Sequence, residues 1–407
     1  MLRMHVRKCG SAISFLLTML LVTGIVLCGV AVSPVTSVQA APSATPNVSL
    51  ASGYYHSLLV NTDGTLWAWG RNNYHQLGLN NTDPKPSPTK VGSATNWKSV
   101  AAGWYHSLGV RSDGTLYAWG YNERGQLGLG DNTTRNIPTQ VGTATNWTAV
   151  STGQYHSLGL RSDGTLWAWG YNFEHQLGLG DNVTRNTPTR VGSWTDWVAI
   201  AAGDSHSLGV RSNGRLYGWG YNSNGQTGNL GGYATPTQVG TDTDWVAVAA
   251  EFHYSMGLRS DGTLWGWGFN GQNQLGLGDG VEYYRKDQSV PQQVGTDTGW
   301  AGVVPGRVHC LGVRSDGTLW AWGANFDGEL GLGDTSESES APQKVGYDSN
   351  WVTASDGDAW SVGVRSDGTL YGWGRNWDYG QLGPVSYTHL RAHETVLDLV
   401  CRLLLEK

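Results

Sequence analysis

Charge is scarce in this chain: 14% of the 407 residues are Asp, Glu, Lys or Arg, and the formal net charge is -6. No basic surface is on offer, which excludes nucleic acid as the main partner. Cysteine is nearly absent. Cys9 and Cys28 lie in the N-terminal segment and Cys401 near the C-terminus, so Cys310 stands alone and no intramolecular disulfide framework is expected. G-x-S-x-G, H-E-x-x-H, phosphate-loop and paired-cysteine patterns are all missing, so neither an enzyme nor a cofactor is expected. Long apolar stretches are limited to residues 13–32. Arg3, Arg7 and Lys8 precede that run, and Val38-Gln39-Ala40 ends it with small residues at the positions a signal peptidase reads. Residues 1–40 therefore read as a secretory signal peptide, with an uncleaved anchor as the alternative, and residues 41–49 as a linker and the start of the first strand. The expected location is secreted, periplasmic or cell-surface, with no membrane association after cleavage.

What the chain has instead is glycine and tryptophan, 59 and 21 residues. Leu66-Trp67-Ala68-Trp69-Gly70 recurs six more times, its second tryptophan falling at Trp69, Trp119, Trp169, Trp219, Trp267, Trp322 and Trp373. The steps are 50, 50, 50, 48, 55 and 51 residues, a repeat architecture. Side chains alternate along a strand, so the small residues share one face and the tryptophans the other. Such a strand is covered on both sides, as in sheets stacked around an axis. Asp63-Gly64, Asp113-Gly114, Asp163-Gly164, Asp261-Gly262, Asp316-Gly317 and Asp367-Gly368 mark hairpin turns, with Asn213-Gly214 as the substitute. A fourth extended piece, Pro188-Thr189-Arg190-Val191-Gly192 in one copy, is placed with its proline at the strand start. The expected fold is all-β: a seven-bladed β-propeller of four-stranded antiparallel blades over residues 50–383, the last blade truncated. Seventeen tryptophans fill repeat positions and are expected in the core.

The unit H-S-L-G-V-R-S-D-G-T-L-W-A-W-G-x-N-x-x-x-Q-L-G resembles the repeats of the regulator of chromosome condensation family, and it covers residues 50–383. The WD-repeat propeller fits less well, because its period is about 40 residues and its Trp-Asp ending is absent. The resemblance implies a seven-bladed propeller. It also includes secreted bacterial members that inhibit β-lactamases through the loop face, so the scaffold can serve as an extracellular protein binder. After Gly383 the pattern breaks. Residues 384–395 and 399–405 resemble in-frame translations of the two parts of a transposase sequencing adapter, so residues 384–407 are read as non-native. Closure then rests on residues 48–52, and blade 7 is expected to have an open edge.

His56, His106, His156, His206 and His309 recur in register, inviting a metal. Stacked sheets lie about 10 Å apart, whereas two ligands of one zinc lie within roughly 4 Å. Structural histidines, hydrogen-bonded within their own blades, are expected. Repeated Leu-Gly-Asp segments such as Leu129-Gly130-Asp131 faintly resemble calcium-binding repeats, yet occur once per blade, so turn chemistry is expected there.

The pair preceding the histidine position differs in every copy: Tyr54-Tyr55, Trp104-Tyr105, Gln154-Tyr155, Asp204-Ser205, Phe252-His253, Arg307-Val308 and Asp358-Ala359. These loops share one end of a propeller, and Tyr and Trp are favoured in binding hot spots. Tyr54, Tyr55, Trp104, Tyr105, Tyr155, Phe252 and His253 are therefore the candidate binding residues, with rings expected to be largely accessible. Tyr283 and Tyr284 join them from the long insertion. Tyr74, Phe173 and Trp377 form a second variable set, taken as an alternative side. The favoured function is a secreted, non-catalytic module binding a protein or a surface glycan. Nucleotide exchange on a small GTPase with chromatin binding is the family alternative, and the targeting domain of a truncated enzyme is a third.

Overall fold

A computed structural model describes residues 48–278, 287–376 and 379–383. The signal segment, Tyr283, Tyr284, Trp377 and the C-terminal tail lie outside the described residues. Strands consecutive in the chain form seven antiparallel sheets. Blade 2 is representative, with Trp97–Ala102, His106–Arg111, Leu116–Gly120 and Arg135–Gln140 paired in that order. Blade 7 has three strands among the described residues: Trp351–Asp356, Trp360–Arg365 and Leu370–Gly374. The first strand of every blade lines the axis, where Ala101, Ala102, Ser151, Ala201, Ala202, Ala249 and Ser355 face a narrow channel.

The repeated strand divides its two aromatic positions. Trp69, Trp119, Trp169, Trp219, Trp267 and Trp322 are fully buried. Each indole N–H also reaches the preceding blade: Trp119 Nε1 donates to Gln76 O at 2.9 Å and Trp169 to Gln126 O at 2.9 Å. The first aromatic is less covered than expected. Trp67, Trp167, Trp265 and Trp320 are only half-buried, near the Asp-Gly turn, where each indole N–H donates to the turn threonine. There an arginine covers the ring, with Arg161 Cζ 3.8 Å from the Trp167 centroid and Arg314 equally close to Trp320.

Two smaller features follow from packing. Trp147 lies against Gly159, where a β-carbon would fall 2.5 Å from the indole Cζ3. Blade 1 carries Leu59 at the position of that glycine and Asn47 at that of the tryptophan, so the two positions change together. The fourth strand also begins earlier than expected, at Arg185, which places Pro188 inside it. The proline is tolerated because pairing breaks there, between Ala168↔Thr189 and Gly170↔Arg185.

The histidines correct the own-blade expectation. His56 Nε2 bonds Ser107 Oγ at 2.9 Å, His106 bonds Ser157, His156 bonds Ser207 and His206 bonds Ser255, each in the following blade. The ~10 Å sheet spacing does not hold near the axis. A β-carbon on Gly53 would lie 2.0 Å from Gly103 O, so converging blades put an imidazole within reach of its neighbour. Ser107 Oγ in turn donates to Gln76 O. The serine proton is thereby committed, so the histidine holds its proton on Nε2.

Ser49–Ser52 pairs within blade 1, with His56–Val60. Among the described residues side chains join blades 1 and 7: Trp69 Nε1 donates to Gln381 O at 2.8 Å, and Val48, Leu50 and Trp69 pack with Trp360, Val362 and Leu382. Trp360 occupies the histidine position at this seam, and among the described residues neither its indole nitrogen nor Ser57 Oγ has a hydrogen-bond partner.

Candidate binding face

In an antiparallel blade the loop between strands one and two emerges at the same end as the loop between strands three and four. The two are laced together by the backbone: Tyr121 N donates to Tyr105 O, Tyr171 N to Tyr155 O and Arg71 N to Tyr55 O. Residues following the Trp-Gly strand therefore sit beside the variable pairs. Tyr74 lies 4.8 Å from Tyr105 and 5.2 Å from Tyr121. Tyr74 and, through Tyr171, Phe173 thus lie beside the first set rather than on an alternative side, while Trp377 lies outside the described residues.

The first member of each pair leans over the axis. Trp104 Nε1 donates to Asp204 Oδ1 at 2.9 Å, a bond from blade 2 to blade 4. Tyr54 packs against Trp104 at 4.5 Å, and the Arg307 guanidinium lies 5.1 Å from both the Tyr54 and Phe252 rings. Arg307 also donates to Tyr54 Oη and, at 2.9 Å, to Asp358. Blades 1, 2, 4, 5, 6 and 7 are thereby tied across the opening. Burial pushes the Asp204 carboxyl up to about 7. Glu251, which occupies the repeat-glycine position of blade 5, is raised by burial and then by Asp204.

The second members form the outward part. Tyr105 and Tyr155 stand 6.4 Å apart, Tyr121 is 6.2 Å from each, and Tyr155 leads to Tyr171 at 6.5 Å and on to Phe173. At the other end Tyr55 meets Tyr379 at 6.1 Å, with Arg71 Cζ 5.0 Å from the Tyr55 ring. His253 lies apart from this arc, against Phe252 and Tyr221. The result is a crescent over blades 7, 1, 2 and 3.

The expectation of largely accessible rings fails. Tyr54, Tyr55, Trp104, Tyr105, Tyr155, Phe252 and His253 are all half-buried, because rings crowded on one end shield one another. Phe173 is the exposed one, at 63%. Tyr121 and Tyr171 were missed by comparing variable positions, although the residue after Trp-Gly is aromatic in four copies. Turn chemistry accounts for the Leu-Gly-Asp segments. Asp131 Oδ1 accepts from Thr133 N and Asn122, and Oδ2 pairs with Arg135. Among the described residues no group of three or more His, Cys, Asp or Glu is placed to hold a metal ion.

A seven-bladed β-propeller with an aromatic crescent on one loop end is the class of protein these features define. Profiles of the Regulator of chromosome condensation (RCC1) repeat match residues 63–110, 113–160, 163–210, 261–313 and 316–364, and the chain belongs to that family. It is 40% identical over 82 residues to the human probable E3 ubiquitin-protein ligase HERC3, covering 19% of this chain and 8% of that protein. It is 38% identical over 114 residues to the ultraviolet-B receptor UVR8 of Arabidopsis thaliana, covering 27% of this chain and 24% of that one. The chain thus spans under a quarter of either relative. Its fold is similar to human WBSCR16, with a TM-score of 0.68, 23% identity and coverage of 76% and 84% of the two chains. It is equally similar to Prp20p from Saccharomyces cerevisiae, at 0.69, 22%, 82% and 84%.

Proposed function

We propose that this protein is an exported, non-catalytic binding module that captures a protein partner on the aromatic crescent. The observation that carries the reading is the contiguity of Tyr74, Tyr105, Tyr121, Tyr155, Tyr171 and Phe173 on one end of the ring, with Tyr55 joined to Tyr74 through the Arg71 guanidinium. Rigid, amphipathic rings supply contact area at low entropic cost. The axial network beneath holds them in place before binding, which reduces the cost of ordering. The net negative charge and the N-terminal segment favour export over the chromatin alternative.

The partner test uses Tyr105→Ala and Phe173→Ala, with Trp104→Ala as a contrast. Affinity capture from the surrounding secretome, quantified against wild type, should show retention falling at least tenfold for Tyr105→Ala. Phe173→Ala, at the exposed end, should weaken retention and leave the melting temperature within a degree. Trp104→Ala is different. It deletes half of a stacked pair and leaves the Asp204 carboxyl without its donor, so it should cost about 2 kcal/mol of stability. Partners retained equally by the two surface variants would remove the crescent as the binding face.

A further inference from the structure

The axial channel carries polar groups that the fold leaves unpaired. Its wall is mostly small apolar side chains, and it encloses about 80 Å³. A liquid water occupies roughly 30 Å³, so the space suits a group of a few heavy atoms. Two ionisable side chains line it, and both are carboxylates: Glu251 at the end of Trp245–Glu251 and Asp356 at the end of Trp351–Asp356. Asp356 is 5% exposed, and among the described residues neither of its oxygens has a hydrogen-bond partner. Ser52, on the neighbouring blade 1, lines the same space with an equally unpartnered Oγ.

Charge points the same way. Asp358 is held by Arg307 at 2.9 Å and by Arg375 at 3.6 Å, and Asp204 accepts from Trp104. Asp356 has His309 Nε2 3.3 Å from Oδ1, although that nitrogen already bonds Ser361 Oγ at 2.9 Å. Of these four axial carboxylates Glu251 has, among the described residues, neither an ion pair nor a side-chain hydrogen bond. Asp204 from blade 4, Arg307 from blade 6 and Asp358 from blade 7 set the field around it, and Tyr254 lies near on its own blade.

We propose that the axial channel is a binding site for a primary ammonium group, carried by a small alkylammonium ion. The donor count fits: an ammonium head has three N–H donors and no acceptor, and Asp356, Glu251 and Ser52 present three acceptors. The alanines beside them accommodate a short alkyl stem. Burial raises the Glu251 carboxyl, so it keeps a proton until the ion arrives. That proton then leaves to solvent as the ion enters, one monocation replaces one proton, and the buried net charge is unchanged. The site is on the axis and is independent of what the crescent captures.

The probe is methylammonium chloride, titrated into the whole chain against sodium chloride at constant ionic strength. Calorimetry should show one saturable site, with about one proton released per ion, read from the dependence of the heat on the buffer. Affinity should rise with pH, because protons compete for Glu251. Glu251→Gln should bind at least tenfold more weakly and release no proton, and Ser52→Ala should bind several-fold more weakly. Tetramethylammonium, with the same charge and no N–H donor, should not bind. Tyr105→Ala, on the crescent, should bind methylammonium as wild type does. The proposal is overturned by absent saturable binding, by unchanged affinity in Glu251→Gln, or by equal competition from potassium or tetramethylammonium. It is also overturned if Tyr105→Ala abolishes binding, because the ion then sits on the aromatic rings.

Discussion

Acidification from pH 6.5 to pH 4 should destabilise the propeller, with His56, His106, His156 and His206 as the cause. Burial holds each of these imidazoles down to about 3. The Nε2–H is committed to the next blade's serine, and Nδ1 has no partner to receive a second proton's charge. A histidine near 6.5 in the unfolded chain therefore takes up a proton that the fold refuses. Its contribution is complete above pH 6.5 and is lost as pH falls toward 3. Over this window each histidine withdraws about 3 kcal/mol. Asp204, Glu251 and Asp356 act in the opposite sense, since burial raises all three carboxyls and the fold keeps their protons. His309 is also distinct, because Asp356 faces it at 3.3 Å and raises it against the effect of burial. The decisive comparison is with His106→Gln, whose amide can donate to Ser157 without titrating. Urea denaturation at the two pH values should show the variant losing about 3 kcal/mol less than wild type. Identical losses would mean that the imidazole ring does not set acid sensitivity.

Trp169→Ala should cost about 3–5 kcal/mol, the range for removing a fully buried indole. The loss has two parts. The ring packs edge-on against Trp147 at 5.9 Å and contributes to the core shared by blades 2 and 3. Its Nε1 donor to Gln126 O also disappears, although Ser157 Oγ still donates to that carbonyl. Trp167→Ala, two residues away, should cost about 1–2 kcal/mol, because its half-buried ring loses only the Arg161 and Trp147 contacts and the bond to Thr165 Oγ1. Chemical denaturation of the pair separates the positions, and equal costs would show that burial alone does not rank them.

The repeat made the architecture legible before any coordinates. Seven tryptophan-glycine strands, six Asp-Gly turns and one Asn-Gly turn at a near-constant spacing leave few folds other than a ring of blades. The candidate face was half legible. Comparing the seven copies found Tyr54, Trp104, Tyr105 and Tyr155, because those positions vary against a constant scaffold. It separated Tyr74 from Tyr105, however, since thirty residues of sequence lie between them and only sheet topology returns the chain to the same end.

The sequence by itself determined the period and the turns, both consequences of one unit repeated at near-constant spacing. The full burial of the second strand tryptophan, against the half-burial of the first, came from the structure. Only the tertiary structure decided what one blade does to the next. Blades converge toward the axis, and distances there are set by the closure of the whole ring. That convergence carries His56 to Ser107 and Trp104 to Asp204, and brings Trp69 to Gln381 from the far end of the chain. No local pattern encodes these contacts, because they join groups between 51 and 312 residues apart that meet only when the blades assemble.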